Sequence, residues 1–405
     1  MSVNLVPSGV PERALTRPVT EVARDARVDP RVSALVPGFD APFFQAGLAG
    51  YSDAAMRLVA RRQGCPFCVT EALLDRTLIN GGKGREREDP DLLATECGTG
   101  DILGNTPFEN AGAAHPDDPS GSLHDHPIAG QIMGTFPDEM ARGAELLVEL
   151  GHDVIDVNLA CPVKKIKRRN RGGHFLTAPD EALAVLRAVR EAVPAHVPCT
   201  VKLRRAWDDS EEMARRFEII FNAAYELGYA WTTVHCRTVE QRYEGPGRWP
   251  FLRDLTRRYP DRLIFGSGDV WTVHDIFAML ELTGVQGVSV ARGCIGNPWI
   301  FRQARALMAG EEALAPTLTE QRRVLLEHFP LSCRLWGEAR AGRMMRKFGI
   351  KFGHHHPTPE AVKQAFIRCE SAAEWRAVIE RFYPVDAQHD DRANASALAS
   401  VASRP

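Results

Sequence analysis

A chain of 405 residues exceeds one ordinary domain and falls short of three, so a large domain with a smaller companion is the first expectation. Apolar residues make up 44% and charged residues 25%, which excludes fibrous and wholly disordered chains. With 50 Lys and Arg against 52 Asp and Glu, the formal charge of -2 excludes a uniformly basic protein and confines any nucleic-acid surface to a local patch.

Residues 1–40 hold five prolines and no sustained periodicity, and read as an extended N-terminal arm. They lack the basic-then-apolar order of a secretory signal, and no run of about 18 apolar residues follows anywhere. The nine scattered cysteines fit reduced thiols, and a cytoplasmic location without membrane contact is expected. From Pro42 onward, short β-branched runs alternate with helix-patterned segments. Strands are predicted at 42–47, 66–71, 128–133, 153–159, 198–204, 231–236, 262–267 and 286–291, and helices at 137–150, 179–193, 211–227 and 272–282. This rhythm over 41–310 predicts an α/β fold, a (β/α)8 TIM barrel. A doubly wound sheet would show a Gly-x-Gly-x-x-Gly turn after its first strand, and none follows 42–47.

Residues 97–127, rich in Gly, Asn, Pro, Asp and His, read as a surface insertion. Cys65-Pro66-Phe67-Cys68 has no second pair at ligand spacing and reads as core, so no metal is expected. Beyond 318 the strands stop. Helices at 319–337, 339–352, 358–369 and 372–382 form a smaller domain over 318–384, with Trp336, Phe348 and Phe352 in its core and His354-His355-His356 as a polar turn or RNA contact. That domain carries twelve Lys and Arg against seven Asp and Glu, a net +5 in a chain of -2. Residues 385–405 read as a flexible tail.

Parallel barrels carry their reacting groups at the C-terminal ends of the strands. The predicted ends are Gly47-Leu48-Ala49-Gly50, Asn158-Leu159-Ala160-Cys161-Pro162, Lys202-Leu203-Arg204, His235-Cys236-Arg237-Thr238, Gly266-Ser267-Gly268-Asp269 and Ala291-Arg292-Gly293, with Gln131 on the third strand. The last two offer backbone N–H groups and a guanidinium after strands seven and eight, where a phosphorylated cofactor binds. The run 164–171 holds six basic residues in eight, which suits RNA phosphate.

Asp156-Val157-Asn158-Leu159-Ala160-Cys161-Pro162-Val163-Lys164-Lys165 resembles the Asn-x-Gly-Cys-Pro signature of the tRNA-dihydrouridine synthases. Gly47-Leu48-Ala49, Gln131, Val201-Lys202-Leu203-Arg204, Val234-His235-Cys236-Arg237-Thr238, Gly266-Ser267-Gly268-Asp269-Val270 and Ala291-Arg292-Gly293 resemble the family's other motifs in order, so the likeness spans about 42–384. The resemblance implies an FMN-dependent, NADPH-linked reduction of uridine in tRNA, with Cys161 as proton donor to C5. It assigns FMN to Gly47, Leu48, Ala49, Gln131, Lys202, His235, Ser267, Gly268, Asp269, Ala291 and Arg292. It assigns substrate to Asn158, Lys164, Lys165, Arg204 and Arg237, with Arg204 divided between that contact and a barrel salt bridge. The resemblance makes the helical 318–384 domain the tRNA-binding one, and a monomer with no DNA partner is expected.

This chain departs from the family where Gly47-Leu48 replaces Pro-Met and where Ala160, Cys236 and Ala291 replace glycines. Gly47 is expected to loosen a turn that proline would stiffen. Two alternatives stand beside the main reading. One is a flavin barrel acting on a small molecule, of the dihydroorotate-dehydrogenase type, and the other is an RNA-binding homologue with impaired catalysis.

Overall fold

The computed structural model of the chain describes residues 15–80, 125–163 and 170–384. Within them nine parallel strands run in chain order: β1 Phe43–Gln45, β2 Cys68–Val69, β3 Leu73–Leu74, β4 Ile128–Met133, β5 Val154–Leu159, β6 Cys199–Arg204, β7 Trp231–His235, β8 Ile264–Ser267 and β9 Gly287–Val290. Each pairs with the next around a ring that β1 closes onto β9 and β2 closes onto β4, giving an eight-stranded (β/α)8 barrel with β3 as an extra segment beside β4.

β2 and β3 are one strand interrupted. Cys68 pairs with Ile128 and Leu73 with Ile132, so three residues, Thr70 to Ala72, stand against two on β4. This β-bulge fits the termination of the strand predicted at 66–71, and Thr70 repairs the ladder by accepting the Gln131 N–H on its hydroxyl at 2.9 Å.

Alternation along each strand builds two cores. On β5, Ile155, Val157 and Leu159 face outward to the helices, while Val154, Asp156 and Asn158 point into the barrel. The outer helices are α3 Ala54–Arg62, α5 Pro137–Glu149, α6 Pro179–Ala192, α7 Glu211–Glu226, α8 Trp249–Arg258, α9 Val273–Thr283 and α10 Trp299–Ala309, with a short α4 Asp75–Ile79 after β3. Proline and two acidic residues open both α5 and α6, which suits the unpaired N–H groups and positive dipole end there. A Thr272–Asp275 capping box starts α9, and Gly284 at φ +69° ends it.

The arm at 1–40 contains structure that its composition did not announce. Its described part forms α1 Val19–Asp25 and α2 Pro30–Leu35, each under two turns and too short to show a period. Val32, Val36 and Phe39 join Phe44, Phe67, Trp231 and Phe265 in the second core, at the N-terminal ends of the strands. The Phe39 and Phe67 rings stack at 4.7 Å. The floor of the barrel is closed.

Four helices follow the barrel: α11 Leu318–Trp336, α12 Glu338–Phe352, α13 Pro359–Ile367 and α14 Ala372–Phe382. Thr317–Glu320 and Ser371–Glu374 capping boxes start α11 and α14. They dock through α11 on α3, where Arg62 pairs with Glu327 at 3.0 Å, and on the loop after β1, where Trp336 Nε1 donates to Asp53 at 3.0 Å. Phe348 and Phe352 are buried as expected; Trp336 is half-buried at the seam, because its indole N–H serves Asp53. Of the three histidines read as a polar turn or RNA contact, two are packed inward. His355 packs edge-on against Trp299 at 5.4 Å, and His356 is buried with Nε2 2.7 Å from the Phe382 carbonyl, tying the 353–358 turn to α14.

Candidate active site

The C-terminal ends of the strands surround a cavity of about 420 Å³, a size within the roughly 300–1,000 Å³ of small-molecule and cofactor sites. All eleven residues expected at the cofactor line it: Gly47, Leu48, Ala49, Gln131, Lys202, His235, Ser267, Gly268, Asp269, Ala291 and Arg292. Cys161, Asn158 and Arg204 line it too. Lys164 and Lys165 lie outside the described residues, as does most of the insertion read at 97–127 and the tail from 385.

A buried polar chain runs beneath the cavity. Asp156 accepts from Thr200 Oγ1 and from Gln131 Nε2, both at 2.7 Å, and Gln131 Oε1 accepts from Asn158 Nδ2 at 2.7 Å. Asn158 Oδ1 then accepts the backbone N–H groups of Ala160 and Cys161. The asparagine expected at the substrate therefore shapes the turn that presents the cysteine. Each amide nitrogen carries two N–H groups, so among the described residues one of Gln131 and one of Asn158 is left without a partner beside the cavity that both residues line.

The positive groups divide into two sets. Arg204 is buried and donates to the carbonyls of Ala160, Thr238 and Arg242 at 2.7–2.9 Å, so it ties the cysteine turn to the loop after β7, and among the described residues it forms no salt bridge. Arg237, only 1% exposed, turns away from the cavity to pair with Asp269 at 2.6 Å and to reach the Gly245 carbonyl. Asp269 also accepts the Gly247 N–H at 2.6 Å, so both of its carboxylate oxygens are engaged although the residue lines the cavity.

Lys202 and Arg292 form the second set. Among the described residues Lys202 makes neither ion pair nor hydrogen bond, and burial lowers its pKa, partly offset by Asp156. Arg292 lies 4.7 Å from the Tyr243 ring and 4.5 Å from the Trp271 ring, contacts that orient the guanidinium without engaging its N–H donors. His235 is driven well below its ordinary pKa by burial and by Arg204, Arg237, Lys202 and Arg292. Its Nδ1 accepts the Arg237 N–H at 3.2 Å, which leaves the single proton of the neutral ring on Nε2.

The glycines explain the close packing. Gly268 sits at φ +115° and Asp269 at +57°, and a Cβ on Gly268 would lie 2.6 Å from the Cys236 sulfur. Cys236 thus fills the space between Gly247 and Gly268 that a glycine at its position would leave. Gly47 does more than loosen a turn: a Cβ there would stand 2.3 Å from the Thr70 carbonyl oxygen, which the bulge has pushed against it. The departure at 47 and the bulge at 70–72 fit one another.

Burial raises the Cys161 thiol above its ordinary pKa, while the Val163 N–H and the charges of Arg204 and Lys202 act in the opposite sense. Sequence reasoning had singled out neither Tyr243 nor Trp271, both on the cavity wall; Trp271 directly follows the Gly266–Val270 motif, which was the one signal for it.

A family model described as dihydrouridine synthase matches residues 44–383. The chain belongs to the dihydrouridine synthase family. This is a family of flavin-dependent oxidoreductases. A probable tRNA-dihydrouridine synthase of Treponema pallidum is 30% identical over 352 residues, 84% of this chain and 93% of that protein. The tRNA-dihydrouridine synthase B of Pasteurella multocida is 28% identical over 296 residues, 72% of this chain and 87% of that one. A solved histamine dehydrogenase from Rhizobium sp. 4-9 superposes with a TM-score of 0.49 at 12% identity, over 78% of this chain and about half, 51%, of that one. No helix of the described residues is long and apolar enough to cross a membrane, and they hold no His, Cys, Asp and Glu cluster fit for a metal.

Proposed function

We propose that the protein reduces a uridine of tRNA to 5,6-dihydrouridine, with FMN as cofactor, NADPH as reductant and Cys161 as proton donor. The observation that carries this reading is the one cavity shared by Cys161, Lys202, His235 and Arg292, from the ends of β5, β6, β7 and β9. The donor set suits a phosphorylated cofactor: the Ser267–Gly268 turn and Ala291–Arg292 offer backbone N–H groups and a guanidinium that makes no hydrogen bond or ion pair among the described residues, and Asp269 is drawn away by Arg237. Gly47, Leu48 and Ala49 would line one face of the isoalloxazine, and Gln131, Lys202 and His235 would donate to its polar edge.

FMN, when bound, supplies hydride to C6 of the uracil ring and is recharged by NADPH. Cys161 forms the second C–H bond: its S–H breaks as the proton passes to C5, leaving a thiolate that solvent reprotonates. A thiol held above the ordinary value of about 8.5 is protonated at neutral pH and ready to donate. The Val163 N–H, Arg204 and Lys202 then stabilise the thiolate. The target base must leave its stack to enter the cavity, at a cost of a few kcal/mol. The +5 helical domain and the names of the relatives support tRNA as the carrier of that base.

The test is to quantify dihydrouridine in tRNA from cells lacking the protein, complemented with wild type or Cys161→Ala. Restoration by wild type alone is expected. Equal restoration by both variants refutes the role of Cys161, and no change at any position with either refutes the substrate.

A further inference from the structure

Cys161 is held from two directions, and only one of them lies in its own motif. Behind it, the side-chain Oδ1 of Asn158 accepts the Cys161 N–H and fixes the turn. In front, the returning chain packs directly on the cysteine: Gly173 N–H donates to the Cys161 carbonyl at 3.0 Å, and a Cβ on Gly172 would stand 2.8 Å from the Cys161 Cβ. This returning segment turns sharply, with Asn170 at φ +52° and Gly172 at +56°, left-handed values that asparagine and glycine adopt readily, so its course is left for its side-chain contacts to determine.

Arg171 supplies that determination. Its guanidinium is 7% exposed and reaches sideways to Asp75, wholly buried at the start of α4, with a closest approach of 3.4 Å; its Nε donates to Thr135 Oγ1 at 3.2 Å. Asp75 in turn accepts the Thr135 N–H at 3.3 Å, so the loops after β3 and β4 and the returning segment meet at one carboxylate. Burial raises the Asp75 pKa, and Arg171 is among the groups that oppose the rise. A buried guanidinium that bridges two loops has little freedom to shift, and the two residues after it are those that touch Cys161.

We propose that the buried Asp75–Arg171 pair is a positioning element for the Cys161 thiol, pressing Gly172 and Gly173 against it and fixing its place in the cavity. The proposal rests on the reading of Cys161 as proton donor. Nothing in the Asn-x-x-Cys-Pro motif encodes it, since the two partners lie 96 residues apart in the chain.

The full-length protein with Arg171→Met, and with the conservative Arg171→Lys, provides the test. Three quantities are compared with wild type: iodoacetamide labelling of Cys161 relative to Cys333, read by peptide mass; kcat and KM for dihydrouridine formation; and the thermal midpoint. Cys333 is the other partly exposed thiol among the described residues and serves as internal reference. In Arg171→Met the Cys161 to Cys333 labelling ratio rises severalfold and kcat falls about 10- to 100-fold with KM near wild type, the scale of a misplacement of about 1 Å. Arg171→Lys recovers part of both. A folded Arg171→Met with wild-type labelling ratio and kcat overturns the proposal, and so does a loss confined to the thermal midpoint. Should that variant not fold, Asp75→Asn, which keeps the shape and removes the charge, is read by the same two measures. Wild-type protein that forms no dihydrouridine refutes the proposed reaction, while the labelling ratio still decides the role of the pair.

Discussion

Asn158 Oδ1 accepts the N–H groups of Ala160 at 3.0 Å and of Cys161 at 3.2 Å, while its Nδ2 donates to Gln131. The side chain thus couples the cysteine turn to the buried Asp156 relay. Asn158→Ala leaves three buried groups unpaired and should lower stability by about 1–3 kcal/mol or more. Asn158→Asp keeps the turn but sets a carboxylate oxygen against Gln131 Oε1. Urea titration with a turnover assay checks both: each variant loses turnover, and Asn158→Asp retains more stability than Asn158→Ala only if the turn contributes more than the amide contact.

Restoring proline at position 47 should harm this protein although proline is the family's usual residue there. The Thr70 carbonyl occupies the space of any Cβ at that position. Gly47→Ala and Gly47→Pro are each expected to cost about 1–3 kcal/mol through overpacking. They should also lower the flavin retained on purification, measured by absorbance; wild-type stability and flavin content in Gly47→Pro would contradict the packing.

Acid should loosen the seam between barrel and helical region. His328 lies buried against Phe348, with its pKa depressed to about 4 by burial. A folded-state value below the unfolded 6.5 means that the unfolded chain binds more protons between the two, so stability is intact above about 6.5 and falls as pH drops toward 4. One such group is worth up to about 3 kcal/mol at the acid end. His152, buried in the barrel and also depressed to about 4, adds to the slope. Thermal midpoints measured from pH 7 to 4.5 should fall, and His328→Leu should flatten the fall.

Breaking the Arg237–Asp269 pair should disable the cavity from behind. Both side chains are almost wholly buried, and removing one partner of a buried pair costs about 3–5 kcal/mol. Arg237→Gln is expected to lose bound flavin before it loses the far-ultraviolet circular dichroism of the barrel, because the freed Asp269 carboxylate would repel a phosphate.

Strand ends were legible in the sequence because barrel chemistry concentrates there, and glycine-rich or polar breaks after apolar runs mark them. Hence Lys202, His235 and Arg292 emerged without coordinates. What each side chain does was not legible. Arg204 and Arg237 bear the same charge as Lys202, yet both are engaged by carbonyls or a carboxylate from loops distant in sequence. Nor could spacing reveal the bulge at Thr70–Ala72: one extra residue shifts the alternation by one, but β2 and β3 hold two residues each, too few to show an alternation being broken. His355 and His356 were misjudged because a histidine run beside a proline has the composition of a surface turn, whereas Trp299 and the Phe382 carbonyl enclose it.

Val32, Val36 and Phe39 have a consequence for where this enzyme can be cut. A chain trimmed to begin at Ala41, as its proline content would suggest, would bare the rings of Phe44, Phe67, Trp231 and Phe265 to water at the pole opposite the cavity. Such a greasy base would favour clumping of the shortened protein, so the first segment behaves as a stopper and travels with the catalytic half in any dissection.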